Sequence, residues 1–184
     1  MKIFKNLFNT PKPKETDQED EVVKNLSLDH GFVHNFIKNK GKFLYCTSFD
    51  EVKSNLEQIL NENSWKTVIC NDTDLLQVLK DLPVKTTDKL KKKLPLFISC
   101  EHLISENGSI LFSSNQLKDN KIAELTDDFI VYATTSQIVS TKGESLTGIK
   151  SRYKGNIPSN IGAIKNYNLD HNDNDFMNYV NTNT

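Results

Sequence analysis

Residues 96–114, LFISCEHLISENGSILFSS, form the longest apolar run of the chain, and polar residues interrupt it in the middle. Phe97, Ile98, Leu103, Ile104, Ile110, Leu111 and Phe112 read as two buried strands. Ser105, Glu106, Asn107 and Gly108 lie between them. Asn-Gly between two apolar runs signals a hairpin, because both residues tolerate positive φ. The turn accounts for Asn107 and Gly108. It does not account for Glu106, a carboxylate at the mouth of a buried hairpin, so the stretch is read as both core and candidate site.

Working outward, Lys42–Thr47, KFLYCT, reads as a strand. Ser48 and Glu51 have the spacing of a capping box that opens a helix over Phe49, Val52, Leu56, Ile59 and Leu60. Thr67–Cys70 reads as the next strand, and Asp72 caps a short helix that Pro83 stops. A helical period also runs through Val22, Leu26, Val33 and Ile37, which Gly31 is expected to kink or divide. Downstream, Phe129–Ala133, FIVYA, is a buried strand, and Thr135 or Ser136 is expected to cap a helix carrying Ile138, Val139, Leu146, Ile149 and Tyr153. Short strands alternating with helices imply right-handed crossovers. The fold expected is α/β, a mostly parallel sheet with helices on both faces and an inserted β-hairpin. In such sheets ligands sit at the carboxyl ends of strands, where turns at 46–48, 70–72, 104–108 and 133–136 are candidates to meet.

The chain has 184 residues, which fits one domain over 21–167 with an arm at 1–20 and a polar tail at 168–184. The formal charge of -1 supplies no global field for nucleic acid. No apolar run reaches the length of a membrane span. Cys46, Cys70 and Cys100 are odd in number, far apart and each in an apolar run, which suits reduced thiols in a cytoplasmic protein. Without a Cys-x-x-Cys spacing, the chain is not expected to hold an iron–sulfur cluster by itself. His30 and His34 share a helix face but lack a third ligand, and no metal is expected there.

The central stretch, followed by FIVYATTSQIV and IPSNIGAIKNY, resembles the LUD-domain family, the lactate utilization protein B/C type. The resemblance spans about residues 20–167 and includes Glu106-Asn107-Gly108 and Ser136-Gln137-Ile138. It implies a fold of the NagB/RpiA/CoA-transferase-like group. It also implies an accessory role in oxidising lactate or a related organic acid beside iron–sulfur oxidoreductase subunits, with no cofactor bound by this chain. Homo-oligomers are compatible with that role. The family's closing segment survives here as Pro158, Ser159 and Ile164, whereas its basic and acidic positions are Asn160, Ala163 and Lys165. Ser105-Glu106-Asn107-Gly108 is also similar to the S-E-N-G string of CoA transferases, whose Glu attacks an acyl group. The resulting candidates are Glu106 as the catalytic carboxylate and Ser105, Asn107, Gly108, Ser136, Gln137, Pro158 and Ser159 as ligand contacts, with CoA or an organic acid as ligand. A non-catalytic interaction module is the remaining alternative.

Overall fold

The computed structural model describes residues 27–120 and 126–167. The expected arm at 1–20 and tail at 168–184 lie outside the described residues. The elements run α1 (Leu28–Lys38), α2 (Phe49–Glu62), β1 (Thr67–Ile69), α3 (Thr73–Leu79), β2 (Lys85–Thr87), β3 (Leu96–Ser99), β4 (His102–Ile104), β5 (Ser109–Phe112), α4 (Ser114–Leu117), β6 (Phe129–Tyr132), a 3-10 turn (Thr135–Gln137), β7 (Ile138–Val139), α5 (Lys142–Arg152) and β8 (Gly162–Ile164).

The α/β expectation holds. One four-stranded sheet has the order β2-β1-β3-β6 and is parallel throughout. The hairpin, however, is not inserted into it. The 96–114 stretch forms three strands, and the chain leaves the parallel sheet after Ser99, bends at Cys100–Glu101 and enters a second sheet, ordered β7-β4-β5-β8. There β4 and β5 form the expected antiparallel hairpin, with Leu103 opposite Ile110.

Alternation of side chains across strands sorts the apolar residues into layers. Val68, Phe97, Ile130 and Tyr132 pack on Leu56 and Leu60 of α2 and on Leu75, Val78 and Leu79 of α3. Their neighbours Ile69, Leu96, Ile98, Phe129 and Val131 point the other way, onto Phe32 of α1, Leu117 of α4 and the near face of the second sheet, Leu103, Ile110, Phe112 and Ile164. The far face of that sheet, Ile104, Leu111 and Val139, packs on Ile149 of α5. Two sheets thus share one core, with α2 and α3 outside one and α5 outside the other.

Several local expectations change. Residues 42–47 form no strand; Leu44 and Tyr45 are exposed, and only Phe43 turns back onto the core. Gly31 does not divide α1. It is buried mid-helix, and a Cβ there would lie 2.5 Å from Ser105 Oγ, so the missing side chain lets the helix approach the hairpin turn. Ile138 and Val139 belong to β7, paired with β4, and the helix begins only after Thr141, whose hydroxyl accepts from Glu144 N. The basic connection at 85–93 contributes β2 as an edge strand. Ser48 Oγ accepts from Glu51 N, but the expected box does not close, because the Glu51 carboxylate accepts from Thr47 N and Thr47 Oγ1 instead of Ser48 N. The cap at Asp72 forms as expected, its Oδ1 accepting from Asp74 N and Leu75 N.

Candidate functional site

The sheet order places the reversal of winding between β1 and β3. From β1 the chain crosses to β2 on one side, then returns past β1 to β3 and continues to β6. At such a reversal the crossover helices leave a crevice at the carboxyl ends of the two strands. A cleft of about 290 Å³ lies along β3 there, lined by Asn71, Asp72 and Thr73 after β1, by Leu96–Ser99, and by Asn115, Gln116 and Lys118. Asp72 is held from both sides: Oδ1 accepts the α3 amides and Oδ2 accepts from Ser99 Oγ at 2.7 Å. Asn71 Oδ1 is shut off from solvent and has no partner among the described residues. Leaving a buried acceptor unpaired is costly, and such costs are uncommon away from working sites.

Behind this cleft sits Glu101, in the bend between the sheets and only 1% exposed. A charged group at that depth needs hydrogen-bonding partners, and the fold supplies them from two helices. Glu101 Oε1 accepts from Ser113 Oγ at 2.7 Å, Asn115 Nδ2 at 2.9 Å and Gln116 Nε2 at 3.1 Å, while Oε2 accepts from Tyr153 OH at 3.1 Å. The half-exposed Arg152 guanidinium lies 3.6 Å from Oε2. Burial pushes the carboxyl up, but the Ser113, Asn115, Gln116 and Tyr153 donors outweigh it, and the net effect is to hold it below its ordinary value. Asn115 and Gln116 therefore face both ways: they line the cleft and they bond Glu101. Gln116 Oε1 also accepts from Ser113 N, completing a capping box that fixes α4.

The turn at 105–108 lies at the other end of the hairpin, against α1. Asn35 Nδ2 donates to Ser105 O at 2.8 Å, Asn39 Nδ2 to Asn107 O at 2.7 Å and Tyr167 OH to Gly108 O at 2.9 Å. The amides of Ser105, Glu106 and Gly108 bond Val139 O, Ser140 O and Ile104 O. Only Gly108 has positive φ, at 67°; Asn107 serves instead through its side chain, which accepts from Ser109 N. Glu106 points outward and is exposed, and among the described residues its carboxylate has no hydrogen-bond or ion-pair partner.

The remaining candidates divide. Gln137 Nε2 donates to Cys100 O at 2.6 Å and Gln137 O faces His102 Nδ1 at 3.2 Å, so this residue braces the bend beside Glu101. Ser136 Oγ bonds Thr134 within the 3-10 turn. Ser159 O accepts from Ser114 N, and Pro158 beside it is buried, which places this pair against the start of α4. Gln137 thus braces the bend that carries Glu101 and Ser159 meets the start of the helix that supplies its donors, whereas Ser105, Glu106, Asn107 and Gly108 lie at the far end of the hairpin. Among the described residues no group of His, Cys, Asp and Glu could hold a metal ion, and no helix is long and apolar enough to cross a membrane.

No family model and no curated protein matches the sequence. Among solved structures, the chain is similar to the crystal structure of a DUF162 family protein from Deinococcus radiodurans. The TM-score is 0.59 at 16% identity, covering 76% of this chain and 88% of that one. At that identity the likeness is one of fold.

Proposed function

We propose that this chain is a LUD-type domain that binds a small organic acid in the cleft between β1 and β3. In this reading it acts as an accessory component of lactate or related organic-acid oxidation, the redox step residing in iron–sulfur partner subunits. DUF162, the family of the similar structure, corresponds to the LUD-domain proteins, which supports the resemblance read from the sequence. The observation that carries the reading is the cleft itself. It stands at the winding reversal and is lined by the amides of Asn71, Asn115 and Gln116, by Lys118, and by Asp72, whose carboxylate is engaged by Ser99 Oγ and the α3 amides. The Lys118 cation, with the second N–H of Asn115 Nδ2 and of Gln116 Nε2 beyond their bonds to Glu101, suits a carboxylate that carries a further polar group.

A thermal-melt series tests it, with lactate enantiomers, other hydroxy acids, oxo acids, nucleotides and acyl-CoAs as separate ligands. A concentration-dependent rise with hydroxy or oxo acids, lost in Lys118→Gln, is the expected result. A response to acyl-CoA instead, with a borohydride-trapped adduct lost in Glu106→Gln, would transfer the assignment to acyl transfer at the hairpin turn. A flat response to every acid would overturn the cleft reading.

A further inference from the structure

The parallel sheet ends in two unlike edges. At one, β2 is Lys85-Thr86-Thr87, and a lysine and two hydroxyl side chains discourage further pairing. At the other, β6 is Phe129-Ile130-Val131-Tyr132, with no charge, no proline and no bulge. All four residues are only half-buried, although they supply side chains to both core faces. Among the described residues, β6 ladders with β3 alone, and its other side makes no main-chain hydrogen bond. The edges of the second sheet, β7 and β8, are shorter, at 2 and 3 residues. An apolar edge of this length is a template for another strand.

We propose that β6 pairs antiparallel with β6 of a second copy of this chain, joining the two parallel sheets across a two-fold axis. Self-pairing suits the strand's charges. Asp127 and Asp128 precede it and no charge follows it before Lys142, so an antiparallel arrangement carries each acidic pair to an opposite end, beside the partner copy's uncharged 133–135 segment. A two-fold axis at the strand's middle sets Ile130 or Val131 next to its own copy, so one patch serves both sides of the interface. Apolar and aromatic pairs then meet across the seam on each face of the joined sheet.

Light scattering on the full chain, read with circular dichroism, tests this. The wild type is expected at twice the 21.0 kDa of one chain. Val131→Lys, which sets like charges opposite each other across the axis, is expected at the single mass, and the spectrum reads whether its core-facing side chain is tolerated. Hydrogen exchange at high and low concentration gives a readout free of mutation: protection of 129–132 rises with concentration if copies pair there. A wild type at the single mass overturns the proposal and points to a segment of the same chain on this edge. A Val131→Lys protein that stays paired, or exchange at 129–132 indifferent to concentration, overturns it as well. Should Val131→Lys not fold, Tyr132→Lys at the strand's end gives the same mass comparison.

Discussion

Replacing Glu101 by Gln probes the centre of the structure with almost no change in shape. The carboxylate accepts from Ser113, Asn115, Gln116 and Tyr153 and lies 3.6 Å from Arg152. An amide oxygen can keep some of these donors, but the new NH2 group faces donors itself and leaves at least one without an acceptor. Hydrogen bonds to a charged acceptor contribute about 1.5–3 kcal/mol each and neutral ones about 0.5–1.5. Losing the charge assistance and stranding one donor costs about 4 kcal/mol on this scale. Relief of the buried charge's desolvation offsets part of that, which leaves about 2–4 kcal/mol. In a chain of this size 1 kcal/mol moves the melting temperature by about 2–4 °C, so a fall of roughly 4–16 °C is expected near neutral pH.

The acid dependence gives the reasoning a second test. The donors hold the folded-state carboxyl below its ordinary 4.5. A group depressed on folding stabilises the protein above its unfolded value, and that stability is lost as pH falls through the folded value. The wild type should therefore lose stability in acid more steeply than Glu101→Gln, and the gap between the two melting temperatures should begin to close as pH falls past the ordinary 4.5 and be gone once pH is below the depressed folded value. Calorimetry or circular dichroism melts between neutral and acid pH measure both quantities. A neutral-pH gap under about 3 °C, or one that persists unchanged in acid, would refute the claim that an ionised Glu101 organises this site.

Further perturbations separate the cleft, the turn and the thiols. Gly108→Ala should destabilise by about 3 kcal/mol or more, because φ is 67° and the added Cβ would lie 2.5 Å from Asn35 C, so its melting temperature should fall further than that of an Ala at Gly143, where nothing comes closer than 3.8 Å. Asn71→Leu removes a buried acceptor that has no partner, so its melting temperature should match or exceed the wild type's while any ligand-induced rise disappears. Glu106→Gln should leave stability within about 0.5 kcal/mol of wild type, as expected for an exposed side chain outside any network. Cys100 is pushed up to about 12 by burial, with Glu101 beside it, and burial also raises Cys70, so a thiol reagent at pH 8 should modify Cys46 first and reach the other two only on unfolding.

What was legible in the sequence was whatever depends on local pattern. The apolar runs at 67–70, 96–99 and 129–132 are parallel strands because each is short, apolar and followed by a cap or turn. The caps at Ser48 and Asp72 are equally local. The run at 42–47 carries the same signal but no strand partner, and a period-2 pattern does not distinguish a strand that pairs from an extended segment that passes over the surface. The β2 residues Lys85, Thr86 and Thr87 give the converse case: a polar edge strand has no apolar signature, and its pairing with β1 alone makes it a strand. Ile138 and Val139 fit a helical period with Ile149, yet β4 beside them claims their backbone first.

The sequence points to the turn rather than to the bend for a related reason. Glu106 drew attention because its neighbours make a recognisable turn, and that turn's main chain is spent on α1, β7 and Tyr167. Glu101 gave a different signal, a carboxylate inside an apolar run, ISCEHL, where burial would be prohibitive without donors. Those donors arrive from residues 113–116 and 152–153, on helices whose approach depends on the hairpin and β8 being in place. One local clue existed: Ser113 and Gln116 have capping-box spacing directly after a strand, which fixes both side chains at a helix start. Because Asn115 and Gln116 bond Glu101 and also wall the cleft, the same carboxylate that secures the junction of the two sheets sets the position of the groups a ligand would meet. In the cleft reading proposed above, stability and recognition are coupled through those two amides, so loosening Glu101 is expected to disturb the cleft even though Glu101 itself does not line it.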